Sequence, residues 1–132
     1  MTEEPRWLLI TVVLAAHRAL IAEHGGVDGV RDRGLLESSL ARPRNLFAYS
    51  GGEVSLFDLA ASCAYGLAKN HCFVDGNKRI AFTAALTFLG LHGYRLEASR
   101  EESVRTFLRL AEGEISEAEL SDWLERHSRS GR

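Results

Sequence analysis

Cysteine, long apolar runs and an excess of either charge are all scarce in this chain of 132 residues. Its two cysteines, Cys63 and Cys72, stand nine positions apart without a CxxC, which excludes a disulfide framework and a zinc ribbon and leaves reduced thiols as the expectation. The apolar stretch from Leu8 to Ala16 stops at His17 and Arg18, well short of a membrane span. No basic start leads into an apolar signal core with a small-residue cleavage site, so a soluble, cytoplasmic protein is expected. A formal charge of −2 with a pI near 6.2 supplies no field for a phosphate backbone, and no direct nucleic-acid partner is expected. What is present is 45% hydrophobic and 26% charged residues, enough for one domain over residues 1–132 and too few for two.

From Arg6 to Glu23 the residues Leu9, Val12, Val13, Ala16 and Leu20 recur at three and four, the period of an amphipathic helix closed by His24-Gly25-Gly26. A polar connection, GGVDGVRDRG, precedes LLESSLA, a short helix expected to stop at Arg42-Pro43, because proline lacks the N–H and restricts its predecessor. RNLFAYSGGEV, Arg44 to Val54, mixes aromatics with Ser-Gly-Gly and shows no helical period, which predicts an extended surface flap or short hairpin. Three helices then start by one device, a serine followed three residues later by an acid: Ser55 with Asp58, Ser99 with Glu102, Ser116 with Glu119. They open runs at Leu56 to Lys69, Arg100 to Ala111 and Glu117 to His127. Between the first two lies NKRIAFTAALTFLGLHG, apolar almost all round, which predicts a central buried helix from about Asn77 to His92, with YRLEAS as a brief extended connection after Gly93. The expected architecture is all-α, five to six helices around that central one.

HCFVDGNKR, His71 to Arg79, is what core-building does not explain. It forms a short loop above the start of the apolar helix, where unpaired N–H groups and aligned peptide dipoles favour an anion. Gly76 lets a phosphate reach the backbone, and Lys78 and Arg79 put cations at the helix end that disfavours them, as though an anion were to arrive. Asp75 is a hard oxygen ligand of the kind used with phosphate oxygens to hold Mg²⁺, and His71 is of the residue type that can take a proton from a hydroxyl. Phe73 would pin the loop into the core. Taken singly, each has a plainer role: His71 a hydrogen-bonded surface residue, Asp75 a cap, Gly76-Asn77 a turn, Lys78-Arg79 a solvated face. Taken together at one helix start, they suit phosphoryl or nucleotidyl transfer.

The stretch resembles the Fic/Doc pattern His-x-Phe-x-Asp/Glu-Gly-Asn-x-x, with Arg79 following as that pattern requires. EHGGVDGVRDRGLLESSLARP, AALTFLGLHGYRL and GEISEAELSDWL extend the similarity to the death-on-curing (Doc) branch over nearly the whole chain. The resemblance implies an all-α Fic fold with a flap that aligns a target segment by main-chain pairing, placed here around Asn45 to Val54. It implies His71 as general base, Asp75 as the ligand of Mg²⁺, Gly76 and Asn77 as the anion hole, Arg79 as the arginine gripping phosphate, with Lys78 beside it, and ATP as the nucleotide.

Adenylyl-transferring members read Gly-Asn-Gly-Arg-x-x-Arg, whereas this chain has Lys78 and Phe82 at the second glycine and second arginine. Doc-type toxins share the lysine, and the resemblance implies a kinase moving the terminal phosphate of ATP to elongation factor Tu. Gly76, where the phage-type toxin has alanine, keeps AMP transfer as the alternative. An inhibitory Ser/Thr-x-x-x-Glu-Gly/Asn is not visible, since Glu112, which precedes Gly113, has Leu108 four residues before it. The resemblance therefore implies a separate Phd-like antitoxin whose C-terminal helix lies in an apolar groove, with Trp7 and Trp123 as lining or, alternatively, core residues. Two further classes compete: a catalytically silent Fic-fold binding module, and a helical DNA-binding regulator using the basic clusters Arg31 to Arg33 or Arg42 to Arg44.

Overall fold

The computed structural model describes residues 3–130. Six helices follow in chain order: α1 (Ile10–His24), α2 (Arg33–Tyr49), α3 (Leu56–Asn70), α4 (Asn77–Leu91), α5 (Arg100–Ala111) and α6 (Glu117–His127). Two three-residue strands, β1 (Tyr94–Leu96) and β2 (Ser128–Ser130), pair antiparallel and tie the chain after α4 to the chain after α6. This is the expected helical fold, and YRLEAS is extended as predicted. Arg95 faces Arg129 across the ladder, a like-charge opposition that Glu97 relieves by pairing with both. No helix among the described residues is long and apolar enough to cross a membrane.

The centre of the bundle is α3 rather than α4. Small residues along α3 (Ala60, Ala61, Ala64, Gly66, Ala68) are buried between larger ones (Phe57, Leu59, Leu67), so α2, α4, α5 and α6 all approach it. The apolar helix α4 lies beside it, burying Ile80, Ala81, Ala84, Ala85, Phe88 and Leu89 but leaving Leu91 exposed. Each fully buried leucine or phenylalanine here is worth about 1.5–3 kcal/mol relative to an exposed one. Trp123 is a core residue buried against Phe107, whereas Trp7 is half-buried and packs on Phe47 and Phe88 at the edge of the core. Cys63 and Cys72 are free and buried, and burial pushes the Cys63 thiol up to about 12, where it stays protonated and unreactive.

The three serine-capped starts are confirmed. Ser55 and Ser116 form reciprocal boxes with Asp58 and Glu119. Ser99 accepts from the Glu102 N–H, but the Glu102 carboxylate turns to Trp123 and His127 instead of reaching back.

Two expectations are overturned in α2 and one in α1. Pro43 does not end α2, which continues to Tyr49. An interior proline costs about 3 kcal/mol, and several contacts offset it. Pro43 is itself buried, Arg42 donates to the Ser62 carbonyl and pairs with Glu117, and Leu46 and Phe47 pack on the core one turn later. The segment Arg44 to Val54 is therefore not an extended flap. Its first half is helix, and Ser-Gly-Gly is the helix stop: the Gly52 N–H donates to the Phe47 carbonyl and the Gly51 N–H to Ala48, with Gly51 at φ 68°. That is a Schellman motif, a second structural meaning of a glycine pair that also reads as a hairpin turn. Helix α1 starts at Ile10 rather than Arg6, and of its expected apolar face only Val13 is fully buried. Leu9 and Val12 are exposed, and the second buried residue of α1 is His17.

Candidate active site

The loop joining α3 to α4 begins with a strained residue. His71, which caps the C-terminal end of α3, has φ 50° and ψ 54°, and among the described residues it is the only non-glycine with positive φ. Such a conformation costs on the order of 1 kcal/mol or more and persists where surroundings enforce it. Arg31 does so: its Nε donates to the His71 carbonyl at 2.6 Å and its Nη2 to the Asn70 carbonyl at 3.0 Å, a cation on the carbonyl end of a helix. The His71 side chain is left exposed.

The loop then descends and returns. Cys72 and Phe73 are buried, and the Asn77 side chain clamps the turn by accepting from the Phe73 N–H and donating to the Phe73 carbonyl, both at 3.0 Å. The side chain of Asn77 is thus occupied within the loop, and what it offers an anion is its backbone N–H. Gly76, at φ +76°, precedes the first helical residue without any side-chain cap, and the first helical bond runs from the Ile80 N–H to the Gly76 carbonyl. The N–H groups of Asn77, Lys78 and Arg79 therefore have no acceptor within α4. Lys78 and Arg79 are exposed, and among the described residues neither lies within 4.0 Å of a carboxylate. An uncapped positive helix end with two free cations favours phosphate.

Asp75 sits on the rim of this end. Its carboxylate accepts from the Val27 N–H at 3.2 Å and the Gly76 N–H at 2.9 Å, and these bonds hold it below the ordinary carboxylate range, with a further contribution from Arg79. It is ionised at neutral pH and exposed. No group of three or more metal-ligating side chains exists among the described residues. An ionised carboxylate beside an uncapped helix start fits Mg²⁺, which takes one or two protein carboxylates and completes its shell with phosphate oxygens and water.

The loop is braced by the connection between α1 and α2, which the sequence reading treats only as polar linker. Val30 bridges Phe73, the Val74 N–H donates to the Gly29 carbonyl, and the Arg31 and Asp32 N–H groups both donate to the Cys72 carbonyl. Arg31 is consumed by this bracing, Arg33 pairs with Glu37, Arg42 with Glu117, and Arg44 lies over the Trp7 ring, so the four arginines of the two basic clusters all make contacts within the chain. Beneath the loop, the His17 ring stacks on Phe73 at 3.7 Å and its Nε2 is 2.8 Å from the Asp75 carbonyl. His17 was visible in sequence only as a position four after Val13 and four before Ile21 on one helical stripe. A depression of about 430 Å³ between Tyr65 and residues 113–119 includes none of these residues.

Loop, helix end and bundle together are of the Fic type of fold. The Fic/DOC family model matches residues 7–89, and the chain belongs to that family. Toxin Doc of Mycolicibacterium smegmatis is 46% identical over 74 residues, 56% of this chain and 57% of that protein. The chain thus matches little more than half the length of that relative. Protein kinase doc of Escherichia phage P1 is 36% identical over 115 residues, 86% of this chain and 89% of that protein.

Proposed function

We propose that the chain is a Doc-like toxin of a toxin–antitoxin pair that transfers the terminal phosphate of ATP to a hydroxyl of a target protein. The observation that carries this is the uncapped α4 start, with Lys78 and Arg79 unpaired beside an ionised Asp75. The similarity to a protein named as a kinase supports the same reading.

In this reading the γ-phosphate sits on the N–H groups of Asn77, Lys78 and Arg79, and the Arg79 guanidinium grips its oxygens. Asp75 would hold Mg²⁺, whose charge would be available to screen the phosphates. His71, exposed and held at the lip of the loop by Arg31, takes the hydroxyl proton as the target oxygen bonds to the γ-phosphorus and ADP departs. Elongation factor Tu is the target that the family resemblance suggests. A Phd-like antitoxin is the corresponding partner, and ATP and such a target would place the reaction in the cytoplasm.

AMP transfer is the second reading and rests on Gly76, which stands where the phage-type toxin has alanine and whose φ of +76° is a backbone conformation that favours glycine. Labelled ATP separates the two. Label from the γ position on elongation factor Tu is the expected result, and label from the α position would overturn it in favour of AMP transfer. His71→Ala should lower transfer about 10²–10⁴-fold while the protein stays folded. Undiminished transfer or growth arrest by that variant would remove the catalytic assignment and leave a binding module.

A further inference from the structure

Two buried polar side chains without a part in the proposed chemistry touch the loop, Ser39 at the Cys72 thiol and His17 beneath Phe73 and Asp75, and only the second reaches the residues at the α4 start. It is 2% exposed, lies on α1 far from the loop in sequence, and meets the loop in two ways at once. Its ring stacks on Phe73 with 14° between planes, and its Nε2 lies 2.8 Å from the Asp75 carbonyl. A carbonyl oxygen only accepts, so Nε2 carries the hydrogen and donates. On the other side of the ring, Nδ1 is 3.9 Å from the Asp28 carboxylate. A Cβ on Gly76 would stand 3.5 Å from Nε2, which makes the ring the floor beneath the Asp75–Gly76 peptide.

The Asp75 carboxylate is held just as closely. Gly26 lies so near that a Cβ there would stand 2.7 Å from Asp75 Oδ2, and the next N–H, that of Val27, donates to the same oxygen. The main chain of Asp75 is thus held from α1 and its carboxylate from the turn that follows α1.

We propose that His17 is a positioning residue, which by donating to the Asp75 carbonyl orients the Asp75–Gly76 peptide so that the Asp75 carboxylate and the first N–H groups of α4 face one bound magnesium nucleotide. This rests on the proposed function for what is bound, and not for the orientation itself.

Two variants separate the hydrogen bond from the packing. His17→Phe keeps the stack on Phe73 and loses the donor, and His17→Gln restores an N–H at a similar reach. Hydrogen exchange of the Val27 and Gly76 amides in the nucleotide-free protein reads the orientation, and calorimetry with ATP over a series of Mg²⁺ concentrations reads its consequence. In His17→Phe both amides should exchange about three- to tenfold faster, and the Mg²⁺ needed for half-maximal nucleotide binding should rise by a similar factor. His17→Gln should recover most of both. Wild-type behaviour of His17→Phe in both measurements would overturn the proposal, as would equal impairment of the two variants, which would reduce His17 to a space-filler. If the wild type binds no magnesium nucleotide, the proposed function falls, while the exchange rates still decide whether His17 orients the loop.

Discussion

The start of α4 and the starts of α3 and α6 are built on opposite plans. At Ser55 and Ser116 a hydroxyl takes one orphan N–H, an acid three residues on reaches back to another, and the negative charge suits the helix dipole. At Gly76 there is no side-chain cap, no acid in the first turn, and two cations in their place. One kind of end is closed by its own chain, and in the proposed function the other would be finished by an anion. The contrast lies within one chain, so it does not reflect a sequence poor in capping residues. The start of α1 also lacks a side-chain cap, and what sets α4 apart is the pair of cations on its first turn.

Arg79→Glu tests the contrast most severely, because it gives α4 the acid that its neighbours have. Affinity for Mg²⁺-ATP should fall about 10- to 150-fold, the loss of one charge-assisted bond of about 1.5–3 kcal/mol. The helix itself should gain about 0.3–1 kcal/mol in denaturant unfolding. Opposite signs in binding and stability are the signature. A variant that loses both would show Arg79 to be structural.

Ser116→Ala should move only the other side of the comparison. Losing the cap at a closed start costs about 1 kcal/mol, a fall in Tm of about 3–6 °C for a domain of this size, with nucleotide binding unchanged. A drop in binding as large as that of Arg79→Glu would mean the two kinds of end are not separable.

The open end was legible in sequence because it breaks a rule: cations on a first turn, after a glycine, with a histidine and an aspartate in the preceding loop. The closed ends were legible because they keep one. What the sequence hid are features whose local signals have two meanings. Pro43 marks a helix boundary unless burial of Pro43 and the packing of Leu46 and Phe47 outweigh the lost bond, and Gly51-Gly52 serves a Schellman stop as readily as a hairpin. Hydrophobic periodicity counted Leu9 and Val12 as the inner face of α1 and passed over His17, since a histidine scores as polar even where it stacks in the core. The bracing of the loop by residues 27–32 is long-range pairing between two stretches that are each unremarkable alone, and nothing local announces it.

The smallest effect concerns how the acid at the open end is held. At α6 the Glu119 carboxylate serves its own helix, and at α3 Asp58 caps its own start with one oxygen while the other accepts from Ser121 of α6; the Asp75 carboxylate caps no helix of its own and accepts from Val27, across the fold, and from Gly76. These bonds lower its pKa in the folded protein, so as the pH falls the unfolded chain takes up the proton first. The stabilisation is therefore fully present above the ordinary aspartate value of about 3.9 and is lost as the pH drops through the lowered folded value. Asp75→Asn lacks this titration, and the stability difference between wild type and variant, followed by urea unfolding from neutral to acid pH, should narrow only below about pH 4. Because backbone donors outrank Arg79 as the cause, molar salt should remove little of the difference, whereas a charge pair would be screened. Parallel acid limbs for the two proteins would mean that the carboxylate is not held by the α1–α2 connection, and the open end would then lack the fixed ligand that distinguishes it from an unfinished helix.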